Sequence, residues 1–385
     1  MAISTRVAGT SHSNPYDAFG RACWDFADSQ SSRELHPYPA RFIPAIPRQA
    51  LDLLEVDGPV LDPFCGSGTT LAEARRRGLP STGIDLNPIA CLISRVRTQA
   101  WRPADAKYAL EHASELRERA ASGGDRSLLP TSIPRIDHWF DPWAQEALAG
   151  AIEYLQAIDD VTWRDRVATA ISSVLVRISR QESDTRYAAI DKPGDRTRAA
   201  TQLAQAVVRV CEWLAANNGD DRAAEARVVC GDARDMGSLD SDSFAAAIFS
   251  PPYPNAYEYW LYHKYRMYWL GFDPTEVRRS ELGARPHYCK PNGLTETDFA
   301  KQMGEVFSGL ARVLRPGAPV VVVVGDSTIA GRHVDNGELL RDAAAAVGLE
   351  PRARAERSIG VRRSSFNRAH SRGRRTEHVL LFTAP

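Results

Sequence analysis

The sequence predicts one large α/β domain: a mostly parallel sheet with helices on both faces, split by a helical insertion. Three observations predict it. A strand, a glycine turn, a helix, a second strand and a second helix follow one another from residue 59 to beyond 88, and such βαβα alternation implies a parallel sheet. Strand and helix signals alternate again from 226 to the end. Between the two blocks the chain reads as helices alone.

Composition sets the outer bounds. The 385 residues suit one large domain with an insertion, or two domains. Apolar residues make up 43% and charged residues 25%, as in ordinary globular proteins. Lys plus Arg and Asp plus Glu both number 48, which argues against a wholly polycationic nucleic-acid binder but leaves room for a local basic face. Five Lys among those cations leave nearly all the positive charge to Arg, a bias that a GC-rich genome explains in bulk. The six Cys (23, 65, 91, 211, 230, 289) include no C-x-x-C pair, so neither a zinc cluster nor a disulfide framework is indicated, no metal is expected, and a reduced cytoplasmic setting is the expectation. The longest aliphatic run, Val320 to Val324, is too short for a membrane span.

Taken in order, residues 1–33 are polar and Ser-rich and read as a flexible arm. The half-domain 34–100 holds an amphipathic helix at 41–56, a strand at 59–62, a helix at 68–77, a strand at 81–85 and a helix from 88. The insertion 101–225 holds helices at 103–121, 143–159, 163–180 and 197–217. Its polar segment 177–187 reads equally as a DNA contact or as a connector. The half-domain 226–385 begins with strands at 226–230 and 244–249 and a helix at 255–271. A loop to 294, a helix at 296–314, a strand at 318–324, a helix at 336–347 and strands near 353–361 and 377–383 follow.

The glycine turn runs Asp62-Pro63-Phe64-Cys65-Gly66-Ser67-Gly68-Thr69 from strand to helix. Glycines let a backbone turn tightly and approach a ligand closely, and the next helix N-terminus offers free N–H groups. Asp85, nineteen residues after Gly66 at the end of the second strand, can accept both hydroxyls of a ribose. No Gly-Lys-Ser/Thr follows the glycines, which argues against a phosphate-binding P-loop. Leu71 stands where dinucleotide binders favour a third glycine. Asp62 suits a cationic ammonium group, so S-adenosylmethionine fits this pattern.

The second motif is Ser250-Pro251-Pro252-Tyr253, closing the strand Ala246 to Phe249. Two prolines remove two N–H donors and fix φ, holding carbonyls and a hydroxyl in place. The Ser250 hydroxyl and the Pro251 carbonyl could accept both protons of a planar exocyclic amine and aim its lone pair at a methyl group. Tyr253 would stack on the base, worth about 1–3 kcal/mol, against the few kcal/mol that extruding a base costs.

Together the two motifs resemble the class I S-adenosylmethionine-dependent amino-methyltransferases of DNA, the cytosine-N4 and adenine-N6 enzymes. The resemblance covers roughly 36–100 and 226–385. It implies a Rossmann-like, mostly parallel seven-stranded sheet ending in an antiparallel strand. It implies that Asp62, Pro63, Phe64, Gly66, Ser67, Gly68, Thr69 and Asp85 line the cofactor site, and that Ser250 to Tyr253 form the catalytic loop. Tyr38, Pro39, Ala40, Arg41 and Phe42 are similar to the segment that folds over the methionine end of the cofactor. Asp232 and Ala233 resemble its adenine-contacting turn. The cofactor motif precedes the catalytic motif here, whereas many cytosine-N4 members have the permuted order. Ser at position 250 leans toward cytosine N4, since adenine-N6 members usually carry Asp or Asn there.

Nucleic-acid contacts have two candidate regions. Nine aromatics lie between Tyr253 and Phe272. Most must be core, while those nearest Tyr253 are candidates to line the base pocket and Tyr257 and Lys264 are candidate nucleic-acid contacts. Nine Arg lie within 352–375, against one acid, Glu356. Arg362, Arg363, Arg368, Arg372, Arg374 and Arg375 there are candidate phosphate contacts. The insertion and the 273–294 loop are the candidate sequence readers. The expected partner is double-stranded DNA; a restriction or defence partner and a monomer or homodimer are all open. An RNA amino-methyltransferase and a non-catalytic nucleic-acid-binding subunit of the same fold are the alternatives.

Overall fold

The computed structural model describes residues 14–26, 34–39, 42–184, 186–219, 224–254, 258–288, 293–359 and 375–385. Its strands in chain order are β1 (Val60–Asp62), β2 (Ser81–Asp85), β3 (Gln181–Ser183), β4 (Arg186–Ala189), β5 (Ala226–Cys230), β6 (Ala246–Phe249), β7 (Pro319–Gly325), β8 (Ser327–Ile329), β9 (Arg332–Val334), β10 (Glu350–Ile359) and β11 (Arg375–Thr383). Seven of them form one sheet in the order β10-β11-β7-β6-β1-β2-β5. Strands β5, β2, β1, β6 and β7 are parallel, and β11 runs antiparallel between β7 and β10. This is the Rossmann-like sheet with an antiparallel strand that the resemblance implies.

Both faces of the sheet are buried, and the valine run of β7 shows how. Val320, Val322 and Val324 face one core with Leu61, Phe249, Leu380 and Phe382, under the helices Glu296–Val313 and Asn336–Ala345. Val321 and Val323 face the other with Val60, Ile248, Val379 and Leu381, under the helix Ala45–Leu53. A strand covered on both sides needs no polar alternation, hence the unbroken apolar run.

The chain fills β1, β2 and β5 outward in one direction, then returns to build β6 and β7 on the other side of β1. The order therefore reverses between β1 and β6. Open α/β sheets bind ligands beyond the carboxyl ends of their strands at such a reversal.

The insertion is helical, with helices Asp105–Ser122, Pro142–Gln156, Val161–Ile178 and Arg196–Asn217 around one core. Three expectations need correction. Residues 14–26, placed in the flexible arm, are ordered: helix Pro15–Arg21 is capped by Asn14, and Phe19 and Trp24 are buried against the sheet. The helix expected at 255–271 spans Tyr259–Trp269, and it joins the insertion's core through Tyr265, Met267 and Trp269 rather than the catalytic half's. The insertion, expected as helices alone, also holds the antiparallel pair β3 and β4, which connects the helices Val161–Ile178 and Arg196–Asn217. Among the described residues, no helix is long and apolar enough to cross a membrane.

Candidate active site

The glycine turn follows β1 and the Ser-Pro-Pro-Tyr loop follows β6. These strands are hydrogen-bonded neighbours, with Val60 opposite Ala246 and Leu61 opposite Ala247. Their carboxyl ends therefore lie side by side. Phe64 and Phe249 rings approach to 5.8 Å, and the Thr70 hydroxyl donates to the Ile248 carbonyl at 3.2 Å.

The glycine turn is held mostly by its own neighbourhood. Gly66 and Gly68 have φ of +50° and +81°, in the left-handed region that favours glycine. A Cβ on Gly68 would sit 2.8 Å from the Ser94 hydroxyl. The Ser94 hydroxyl donates to the Gly66 carbonyl at 2.8 Å, and the Arg97 guanidinium donates to the Ser67 carbonyl. Asp85 accepts from the Gly66 N–H through one oxygen and from the Asn87 N–H through the other, both at 2.8 Å. Each carboxylate oxygen has two acceptor positions, so Asp85 keeps capacity for two hydroxyl donors. Burial pushes its carboxyl up to about 6.

Asp62 lies deeper. It is 2% exposed, accepts from the Phe64 N–H at 3.0 Å, and is pushed up to about 7 by burial. In this position it braces the floor of the turn. Pro63, Ser67, Gly68 and Thr69 are buried around it, and Phe64 and Gly66 are half-buried.

Tyr38 covers the turn, its ring 3.5 Å from where a Gly66 Cβ would stand. It stacks on Tyr259 and His263 at centroid distances of 5.9 and 5.2 Å. Pro39 is half-buried beside it. Phe42 is half-buried and packs toward the core under the sheet, shortly before the helix Ala45–Leu53. Ala40 and Arg41 lie outside the described residues. Across the turn, the Gly231 N–H donates to the Asp85 carbonyl at 2.9 Å, which sets the Asp232 turn beside Asp85. Burial pulls the Asp232 carboxyl up, but its ion pair with Arg234 outweighs that pull and holds it below the usual range. Ala233 is core.

The catalytic-loop candidates are placed by distant residues. The Tyr253 ring lies over the end of β7, where a Cβ on Gly325 would stand 2.9 Å from it. Its hydroxyl donates to Glu377 of β11 at 2.9 Å and lies 3.4 Å from the Ser250 hydroxyl. Glu377 is paired in turn with buried Arg357 of β10 at 3.6 Å. Pro251 is buried and Pro252 half-buried. Glu281 closes the other side: its carboxyl accepts from the Tyr259 and Trp260 N–H groups at 2.7 and 3.3 Å, and burial pushes it up to about 8. Ser94, Arg97, Glu281 and Glu377 have no sequence motif that marks them.

The nucleic-acid candidates divide. Lys264 is half-buried over the Tyr187 and Tyr265 rings at 5.4 and 5.7 Å, so it serves the junction between β4 and its own helix. Tyr257, Arg362, Arg363, Arg368, Arg372 and Arg374 lie outside the described residues, and Arg375 is described only as a backbone position of β11. Within the same Arg-rich stretch, Arg352 pairs with Glu350, Arg354 with Asp335, Glu338 and Glu356, and Arg357 with Glu377. These three are balanced by carboxylates that mostly lie outside 352–375, so the local charge surplus is smaller than a count within that span suggests.

Residues 6–95 match the N6/N4 family described as DNA methylase, and this family match covers the glycine turn and Asp85. The chain is 39% identical over 87 residues to the type II methyltransferase M.MjaII of Methanocaldococcus jannaschii, covering 20% of this chain and 16% of that protein. It is 26% identical over 156 residues to the type II methyltransferase M.MvaI of Kocuria varians, covering 39% and 34%. The matched stretches thus span about a third or less of these relatives. An S-adenosylmethionine-dependent methyltransferase structure from Methanosarcina mazei aligns with a TM-score of 0.31 at 11% identity, over 85% of this chain and 92% of that one. Across the residues they cover, the family match and the two relatives support a DNA amino-methyltransferase family.

Proposed function

We propose that this chain transfers the methyl group of S-adenosylmethionine to the exocyclic amine of a DNA base, with cytosine N4 as the acceptor. The observation that carries the reading is the adjacency of the two loops at the point where the strand order reverses. Bound there, the cofactor supplies an electrophilic methyl group on a sulfonium.

The residues present fit such a group. Asp85 has free acceptor capacity for a ribose, Gly66 presents a backbone without side chain beneath Tyr38, and the Asp232 turn abuts Asp85. Ser250 and the Pro251 carbonyl are then the acceptors that hold the amine protons and leave its lone pair facing the donor. Tyr253, fixed through Glu377, is the aromatic surface for the base. Nothing in this scheme needs a covalent protein intermediate; the rate gain comes from positioning and electrostatics. Ser at position 250, where the resemblance implies Asp or Asn in adenine-N6 enzymes, is what favours cytosine in this reading.

The test is chemical. The protein is incubated with labelled S-adenosylmethionine and either duplex DNA or tRNA, and the digested nucleosides are separated. Label in N4-methylcytosine from DNA is the expected result. Label in N6-methyladenine would change the acceptor and keep the chemistry, label in tRNA alone would overturn DNA as substrate, and no label with tight cofactor binding would overturn the activity.

A further inference from the structure

Residues 281–284 fall in a stretch that the sequence reads as loop, yet all four are buried. Glu281, Leu282 and Ala284 are 7%, 6% and 1% exposed. A turn buried this completely is packed against other parts of the chain. It packs on the Ser-Pro-Pro-Tyr loop at two points.

The first point is the loop's exit. The chain leaves residue 258 and enters the helix Tyr259–Trp269, whose first N–H groups have no partner within the helix. Glu281 takes two of them, at Tyr259 and Trp260. The second point is the loop itself. Gly283 has φ +69°, and a Cβ there would stand 3.0 Å from the Pro252 and Tyr253 carbonyl oxygens. No larger residue fits without moving that backbone. A third contact ties the turn to the cofactor side: Arg234, paired with Asp232, donates to the Ser280 carbonyl at 3.3 Å.

We propose that the turn 280–284 is a two-point clamp on the catalytic loop, with Glu281 its positioning residue. The inference rests on the methyltransferase reading for its kinetic consequence and on geometry alone for the clamp. Glu281 touches neither substrate in this scheme. It fixes where the loop ends, and Gly283 fixes how closely the turn approaches the carbonyls on either side of Tyr253.

The experiment compares wild type, Glu281→Gln, Glu281→Ala and Gly283→Ala for kcat, KM for duplex DNA, cofactor affinity by calorimetry, and amide hydrogen exchange at Tyr259 and Trp260. Glu281→Ala is expected to lower kcat/KM for DNA at least tenfold while cofactor affinity stays within threefold. Glu281→Gln keeps one acceptor oxygen and should recover part of the loss. Gly283→Ala should reproduce the kinetic defect with Glu281 intact. Wild-type kinetics in both Glu281→Ala and Gly283→Ala would overturn the clamp, as would a loss of cofactor affinity equal to the loss of kcat/KM. If Glu281→Ala does not fold, wild-type kinetics in Glu281→Gln and Gly283→Ala together overturn it. If the wild type transfers no methyl group, the function reading fails by itself. The clamp is then judged by exchange: faster exchange at Tyr259 and Trp260 in the Glu281 variants supports it, and unchanged protection overturns it.

Discussion

The two loops that meet at the reversal point are built differently. The turn after β1 is fixed mainly by residues close to it in sequence: its own glycines, Ser94 and Arg97 from the helix Pro88–Arg97, and Asp85, nineteen residues on. The loop after β6 draws on longer-range support: Glu377 reaches Tyr253 across 124 residues, while Glu281, 22 residues from Tyr259, is as near in sequence as the supports of the β1 turn. A cofactor site used in one way can be encoded as a compact motif. On the proposed function, the loop that would admit a base is braced in part from outside it.

That contrast can be broken at either loop. The largest effect is expected at the catalytic loop. Ser250→Ala should reduce methyl transfer by about 10²–10³-fold, the range for losing one preorganised polar contact in a transition state, and Tyr253→Ala by about 5–150-fold, the equivalent of about 1–3 kcal/mol of stacking. Cofactor affinity should stay within threefold, because neither side chain bonds to the glycine turn. Labelled methyl transfer and calorimetry on the same preparations check both halves, and near-wild-type transfer in either variant would count against the assignment.

Asp85→Ala comes next. It removes two acceptors for backbone N–H groups and the candidate ribose contacts. Charge-assisted bonds are worth about 1.5–3 kcal/mol each, so cofactor affinity should fall at least tenfold. Unchanged calorimetric binding would remove Asp85 from the site.

The third prediction concerns pH and separates binding from stability. Asp85 titrates at about 6 in the free protein, and hydroxyl donors favour its ionised form. Cofactor affinity should therefore be flat above about pH 6.5 and weaken below pH 6, by up to about tenfold per unit. Stability moves the other way. Asp62 and Glu281 are raised to about 7 and about 8, so the folded state holds protons that the unfolded chain has released. Their contribution is complete below the unfolded carboxyl range and is lost as pH rises through the folded values. Buried His36 and His263 are held neutral by burial and oppose this only below about pH 6.5. Thermal unfolding should thus show a loss of about 2–3 kcal/mol from pH 6.5 to 8, and Glu281→Gln should remove the larger part of it.

The smallest effect is expected at Gly66. Its φ of +50° costs a non-glycine residue about 1–2 kcal/mol, and the site has room for a methyl beside Tyr38 at 3.5 Å. Gly66→Ala should lower the melting temperature by a few degrees and weaken cofactor binding modestly. A collapse of the fold would mean that the turn is supported less locally than its contacts indicate.

The same contrast decides what can be read from sequence. The β1 turn, Asp85 and the parallel half of the sheet are legible because strand, glycine pattern and acid lie within one βαβ unit. The Ser-Pro-Pro-Tyr loop is legible as a motif, but its supports are not. Glu281 and Glu377 are single acids with no periodic or spacing signature, and their partners are chosen by topology. The ordered helix at Pro15–Arg21 has a local signal, Asn14-Pro15 as cap and first turn with Phe19 and Trp24 as apolar anchors, that the polar surroundings outweigh. The Arg-rich span misleads for a related reason: the acids that balance Arg354 and Arg357, at 335, 338 and 377, come from neighbouring elements.

The central claim is that the turn after β1 and the loop after β6 share one cavity. A co-crystal structure with S-adenosylhomocysteine tests it most directly. The account predicts the ribose hydroxyls on Asp85, the ligand backbone across Gly66 to Gly68 beneath Tyr38, and the sulfur facing Ser250. Ligand bound away from Gly66, or bound there with its sulfur shielded from Ser250 by protein, would contradict it.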